Sequence, residues 1–70
     1  MKLQAGDRLL SKDGFREYQI LKVNEKSVRL IETLHIAVNG TIKDVVYKAV
    51  TRKNAEFNLC VLSANMVKVS

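Results

Sequence analysis

Val28-Arg29-Leu30-Ile31-Glu32-Thr33-Leu34-His35-Ile36-Ala37-Val38-Asn39-Gly40-Thr41-Ile42-Lys43-Asp44-Val45-Val46-Tyr47-Lys48-Ala49-Val50 decides how this chain folds. Two apolar stretches, Val28 to Val38 and Thr41 to Val50, meet at Asn39-Gly40, the strongest short-range signal for a β-hairpin. A two-residue type I′ turn needs positive φ at both central positions, which Asn tolerates and Gly adopts freely. With Val38 facing Thr41, the register runs outward through His35 with Asp44, Leu34 with Val45, Thr33 with Val46 and Arg29 with Val50. The expectation is a long antiparallel ribbon.

The second half of that ribbon also fits another pattern. Val45, Val46, Ala49 and Val50 match an amphipathic helix with Asp44 as N-cap, so an α+β fold with a short helix at about 44–55 is the alternative. Strand is preferred because Val45, Val46, Tyr47, Val50 and Thr51 suit a pleated surface and lose χ1 freedom in a helix.

The flanking sequence adds shorter strands. Leu3 to Leu10 bends at Gly6-Asp7-Arg8 and is followed by the turn Lys12-Asp13-Gly14. Phe15 to Val23 alternates at Tyr18 and Ile20, then skips to Val23. A change of spacing from two to three near Leu21-Lys22 is the mark of a β-bulge. Thr51 to Glu56 reads as a basic loop, Phe57 to Leu62 as a fifth strand, Ser63-Ala64-Asn65 as a turn or one 3₁₀ turn, and Met66 to Val69 as a closing strand. The resulting expectation is an all-β, mainly antiparallel fold, a small barrel of five to six strands.

In strand order the chain resembles an SH3-like barrel: Gly6-Asp7-Arg8 opens the first strand, Tyr18 and Ile20 mark the second, Val28 and Leu30 the third, and a short turn precedes Val67 to Val69. The resemblance implies a fold shared by nucleic-acid-binding modules, ribosome-associated domains and small adaptors, and it does not choose among them.

Seventy residues make a single domain, 1–70, too small for a large catalytic cleft. An apolar fraction of 47% beside 27% charged residues is that of a folded chain rather than a disordered one. A lone cysteine, Cys60, excludes an intrachain disulfide framework. No apolar run approaches the ~20 residues of a membrane span, and Met1 to Arg8 shows no leader pattern. The expected setting is cytoplasmic, without membrane association.

Enzymatic chemistry lacks its parts. There is one His, one Cys, no Cys-x-x-Cys, no His-Glu-x-x-His and no glycine cluster to cradle phosphate, so no catalytic residue, metal site or cofactor is expected. Cys60, His35 and Asp44 would be the one conceivable nucleophile, base and orienter. Cys60 sits in an apolar segment as a small hydrophobe, and His35 opposite Asp44 reads as a cross-strand pair in which the carboxylate favours the imidazolium. Glu17, Glu32 and Glu56 read as solvated charges flanking strands.

Charge gives the remaining direction. Twelve Lys and Arg against seven Asp and Glu leave +5, which favours encounter with nucleic acid or an acidic protein surface. Alternate positions on neighbouring strands would gather Lys22, Arg29, Lys48, Arg52 and Lys53 on one face or rim, with Tyr47 as an exposed aromatic contact. Of the aromatic residues, Tyr18 and Phe57 fall in the apolar parity and leave few stacking platforms, so contact with RNA or DNA would be backbone-led. The expected function is a non-catalytic nucleic-acid-binding module. The alternative is a protein-interaction domain, an adaptor or a phage- or mobile-element-type inhibitor, with homo-oligomerisation through the hairpin as a further option.

Overall fold

The computed structural model describes residues 2–69. It contains six strands and one helix: β1 (Arg8–Leu10), β2 (Arg16–Val23), β3 (Ser27–Val38), β4 (Thr41–Val46), β5 (Val50–Lys53), α1 (Asn54–Ser63) and β6 (Val67–Lys68). All pairings are antiparallel, and the ladder is an open path in the order β4-β3-β2-β1-β6 with β5 beside β3.

The hairpin turns where its dipeptide requires. Asn39 and Gly40 have φ of 50° and 78°, and the ladder runs Val38↔Thr41, His35↔Asp44, Leu34↔Val45 and Thr33↔Val46. The expected ribbon does not persist to Val50. Tyr47 to Ala49 leave the strand conformation, and pairing resumes as Leu30↔Val50 and Arg29↔Thr51 in place of Arg29 with Val50. One residue is taken up in the connector, and since strand side chains alternate, a one-residue slip exchanges the faces of everything after it.

The bulge stands where the spacing places it. Ile20 faces Leu30 and Lys22 faces Arg29, so Leu21 is the extra residue on β2.

The preference for strand over helix at about 44–55 holds for residues 44–46 and 50–53, and one segment expected as strand is helical instead. The alternative helix at about 44–55 is absent: residues 44–46 and 50–53 are strand, and the Asp44 carboxylate is taken by His35 rather than by backbone N–H groups. Phe57 to Leu62, expected as a fifth strand, lies in α1. Phe57 is buried, and Cys60, Val61 and Ala64 pack against the core, a spacing of three, four and seven that belongs to a helix. The strand pattern would have buried Leu59, which is 66% exposed. Asn65 ends the helix with φ of 51°. Its N–H bonds the Leu62 carbonyl at 3.2 Å and the Met66 N–H bonds the Val61 carbonyl at 2.9 Å, the paired bonds of a Schellman cap.

The core lies between α1 and the inner face of the sheet: Leu9, Tyr18, Ile20, Val28, Leu30, Phe57 and Met66. Tyr18 and Phe57 meet with ring centroids 6.0 Å apart, and burial pushes the Tyr18 hydroxyl up to about 12. Among the described residues no helix is long and apolar enough to cross a membrane.

Candidate functional site

The outer face of the sheet, opposite α1, carries the polar chemistry. Inner-face positions on β3 are Val28 and Leu30, so Arg29 points outward, and its cross-strand partners Lys22 on β2 and Thr51 on β5 share that face. Without the bulge, Leu21 would occupy the place opposite Arg29. The extra residue therefore delivers a cation to the outer surface in place of an apolar side chain. Ser27↔Lys53 is the next outward rung on the β3–β5 side, which puts Lys53 diagonal to Arg29. Side chains directly opposite have Cβ atoms roughly 5 Å apart and diagonal ones roughly 7 Å.

Lys22, Arg29 and Lys53 are all exposed. Among the described residues the ion pairs are Arg8–Glu17, Arg16–Glu32, Arg52–Glu56, Lys68–Asp7 and His35 with both Glu17 and Asp44, so none of these three cations has a carboxylate within ion-pair distance. The Arg29 Nη1 donates to the Thr51 hydroxyl at 3.3 Å, leaving its other guanidinium donors toward solvent. Asn54 anchors the neighbourhood: its Nδ2 donates to the Glu25 carbonyl at 3.0 Å and its backbone N–H to the Lys26 carbonyl at 3.1 Å. The start of α1 and the end of β5 are thereby tied to the β2–β3 turn. This side chain escaped the sequence analysis because 51–56 read as a loop.

The other expected site residues lie elsewhere. Arg52 is opposite Val28 and turns to the inner side, where its Nη1 donates to Glu56 at 2.9 Å. That bond raises the guanidinium's already high affinity for its proton, and the Nε is buried without a partner. Lys48 and Tyr47 are exposed in the β4–β5 connector, just past the end of β4. The Tyr47 N–H bonds the Glu32 carbonyl at 2.9 Å. The fold thus brings together Lys22, Arg29 and Lys53, turns Arg52 away, and leaves Lys48 and Tyr47 beside the sheet edge.

A second polar arrangement crosses the same face farther along the sheet. His35 Nδ1 lies 2.6 Å from Asp44 Oδ1, and its Nε2 lies 3.3 Å from Glu17 Oε1. Glu17 in turn accepts two bonds from Arg8, at 3.0 and 2.9 Å. Charges alternate across four strands. Asp44 and then Glu17 raise the imidazole's affinity for a proton, while Arg8 holds the Glu17 carboxyl below its usual range. The His35–Asp44 pair follows the expected register. Glu17, Glu32 and Glu56, expected as solvated charges, are each engaged by an arginine. Cys60 packs on the core side of the sheet and His35 on the outer side, so the sheet separates the two groups that a cysteine nucleophile and its base would need together.

Comparison with known proteins gives no match among family models, curated proteins or solved structures.

Proposed function

We propose that this chain is a cytoplasmic, non-catalytic module that binds the phosphate backbone of nucleic acid through Lys22, Arg29 and Lys53 on the outer face of a small, SH3-like sheet. The observation that carries the proposal is the direct opposition of Lys22 and Arg29, with Lys53 diagonal to Arg29 on the far side of β3 and no carboxylate among the three. Like charges placed opposite each other cost stability, and a polyanion spanning the three offsets that cost. Strand order supports the SH3-like description of the body: β6-β1-β2-β3-β5 is a continuous antiparallel succession, with α1 leading into the last strand. Exposed Tyr47 offers one further flat contact near the β4–β5 connector, too little for a base-reading platform.

The test is fluorescence anisotropy with labelled single-stranded RNA and duplex DNA. Three phosphate contacts predict that affinity falls roughly 18-fold for a single strand and roughly 40-fold for a duplex between about 50 and 200 mM salt. Absence of binding at the lower salt removes the proposal.

A second reading, recognition of a protein, is favoured by a different part of the surface. The far half of the β3–β4 hairpin and its connector expose Ile36, Val38, Ile42, Val46 and Tyr47, more apolar surface than a nucleic-acid contact uses.

A further inference from the structure

The β3–β4 hairpin projects beyond the body of the sheet. β2 begins at Arg16 opposite Leu34, and the His35 N–H bonds the Phe15 carbonyl at 2.8 Å, so from Ile36 to Lys43 the sheet is two strands wide. A two-stranded ribbon is marginally stable by itself. β4 ends the strand order, and among the described residues its outer edge has no partner. Ile42 and Val46, on the outer face of that edge strand, are 74% and 64% exposed.

The dimensions state how much is uncovered. The chain exposes 5036 Å² and measures 42 × 22 × 21 Å with a radius of gyration of 12.2 Å. A compact monomer of 7.9 kDa exposes about 4,400 Å² and has a radius near 11 Å. The excess, roughly 600 Å², approaches the ~800 Å² that each partner contributes to a standard protein interface.

We propose that β4 pairs antiparallel with β4 of a second copy across a two-fold axis at Asp44, extending the sheet through both molecules. Three features choose this occupant and this register. A strand edge paired to itself needs no partner of other composition, and an isologous contact closes at two copies. Thr41, Lys43, Val45 and Tyr47 direct their backbone groups toward β3, as the Tyr47 N–H to Glu32 carbonyl bond shows, so the outward groups are those of Ile42, Asp44 and Val46. With Asp44 on the axis, all of these outward N–H and C=O groups are paired, and Ile42 of each copy packs against Val46 of the other. A shift of the axis to Lys43 sets Ile42 against Asp44 and Lys43 against itself. A shift to Ile42 leaves the edge groups of Val46 unpaired.

The axis brings two Asp44 carboxylates together, which is unfavourable unless each is neutralised. Each faces His35 on β3 at 2.6 Å. His35 also faces Glu17 on β2, and Glu17 is held by Arg8 on β1. With His35 protonated, this four-residue row has no net charge. Loss of that proton leaves the two copies meeting through uncompensated carboxylates. Association therefore strengthens below, and weakens above, the pH at which His35 releases its proton.

Sedimentation equilibrium on the full chain at about pH 6 and pH 8.5 tests this. The expected result is a dimer at the lower pH whose association weakens roughly tenfold or more at the higher. Ile42→Lys, at a position already solvated in the monomer, yields a monomer at both. Asp44→Asn, which removes the facing charges, yields a dimer that no longer weakens with pH. A strict monomer at about 1 mM and pH 6, a dimer that survives Ile42→Lys, or wild-type association indifferent to pH would each overturn the proposal.

Discussion

Lys22 lies directly across the β2–β3 ladder from Arg29, both outward and both exposed, because one extra residue at Leu21 turns β2 by half a period. The pair is intrinsically repulsive, and among the described residues no carboxylate stands within ion-pair distance to relieve it.

Relief of that repulsion separates folding from binding. Lys22→Thr is expected to stabilise the free protein by about 0.2–1 kcal/mol at low ionic strength, an effect that salt erases. The same substitution weakens nucleic-acid binding. Urea denaturation at two salt concentrations beside anisotropy on the same protein reads both signs.

His35 makes stability depend on pH. Its folded-state affinity for a proton is raised above the ordinary value of 6.5, chiefly by Asp44. The stabilisation is therefore complete below that value and is lost as pH rises through the higher folded value. Denaturation midpoints are expected to fall across this interval in wild type, measured at a dilution where the chain is monomeric. His35→Gln flattens the dependence, and a profile that Gln leaves unchanged rules out the assignment.

The helix is tested by contrast within one segment. Phe57→Ala, which empties a buried site against Tyr18, is expected to cost about 3–5 kcal/mol. Leu59→Ser, on the exposed side of α1, is expected to stay within about 0.5 kcal/mol. Equal large losses would restore the strand, which buries both.

The turn is tested by backbone alone. Nothing lies within 4 Å of a Cβ added at Gly40, whose φ is 78°, so Gly40→Ala isolates the left-handed conformation and is expected to cost about 1–2 kcal/mol. Urea titration of the variant checks it.

Local chemistry made the hairpin and the bulge legible. Asn39-Gly40 encodes its own turn, and the step from Ile20 to Val23 records the extra residue directly. The helix was hidden because Phe57 to Leu62 is apolar at almost every position, and such a run satisfies period two as readily as period 3.6. Asn65, a residue that tolerates positive φ, is the local signal of the helix's C-terminal end.

The site was half legible for a related reason. Adjacent residues on a strand face opposite ways, so Arg52 and Lys53 cannot share a surface. Which of them joins Arg29 depends on the single residue absorbed between Tyr47 and Ala49, and no local motif announces that slip. Counting back from Val46 sends Arg52 outward; the observed register sends Lys53.

The most direct test of the binding surface compares two triple variants of equal charge. Lys22→Ala/Arg29→Ala/Lys53→Ala removes the outer-face cluster, whereas Lys2→Ala/Lys12→Ala/Lys43→Ala removes three exposed lysines from other positions. The cluster variant is expected to lose roughly tenfold or more in affinity for duplex DNA near 50 mM salt, with the salt slope reduced by about 2.7, and the control variant to lose far less. Equal losses would mean that net charge alone attracts nucleic acid and that the opposition of Lys22 and Arg29 makes no site.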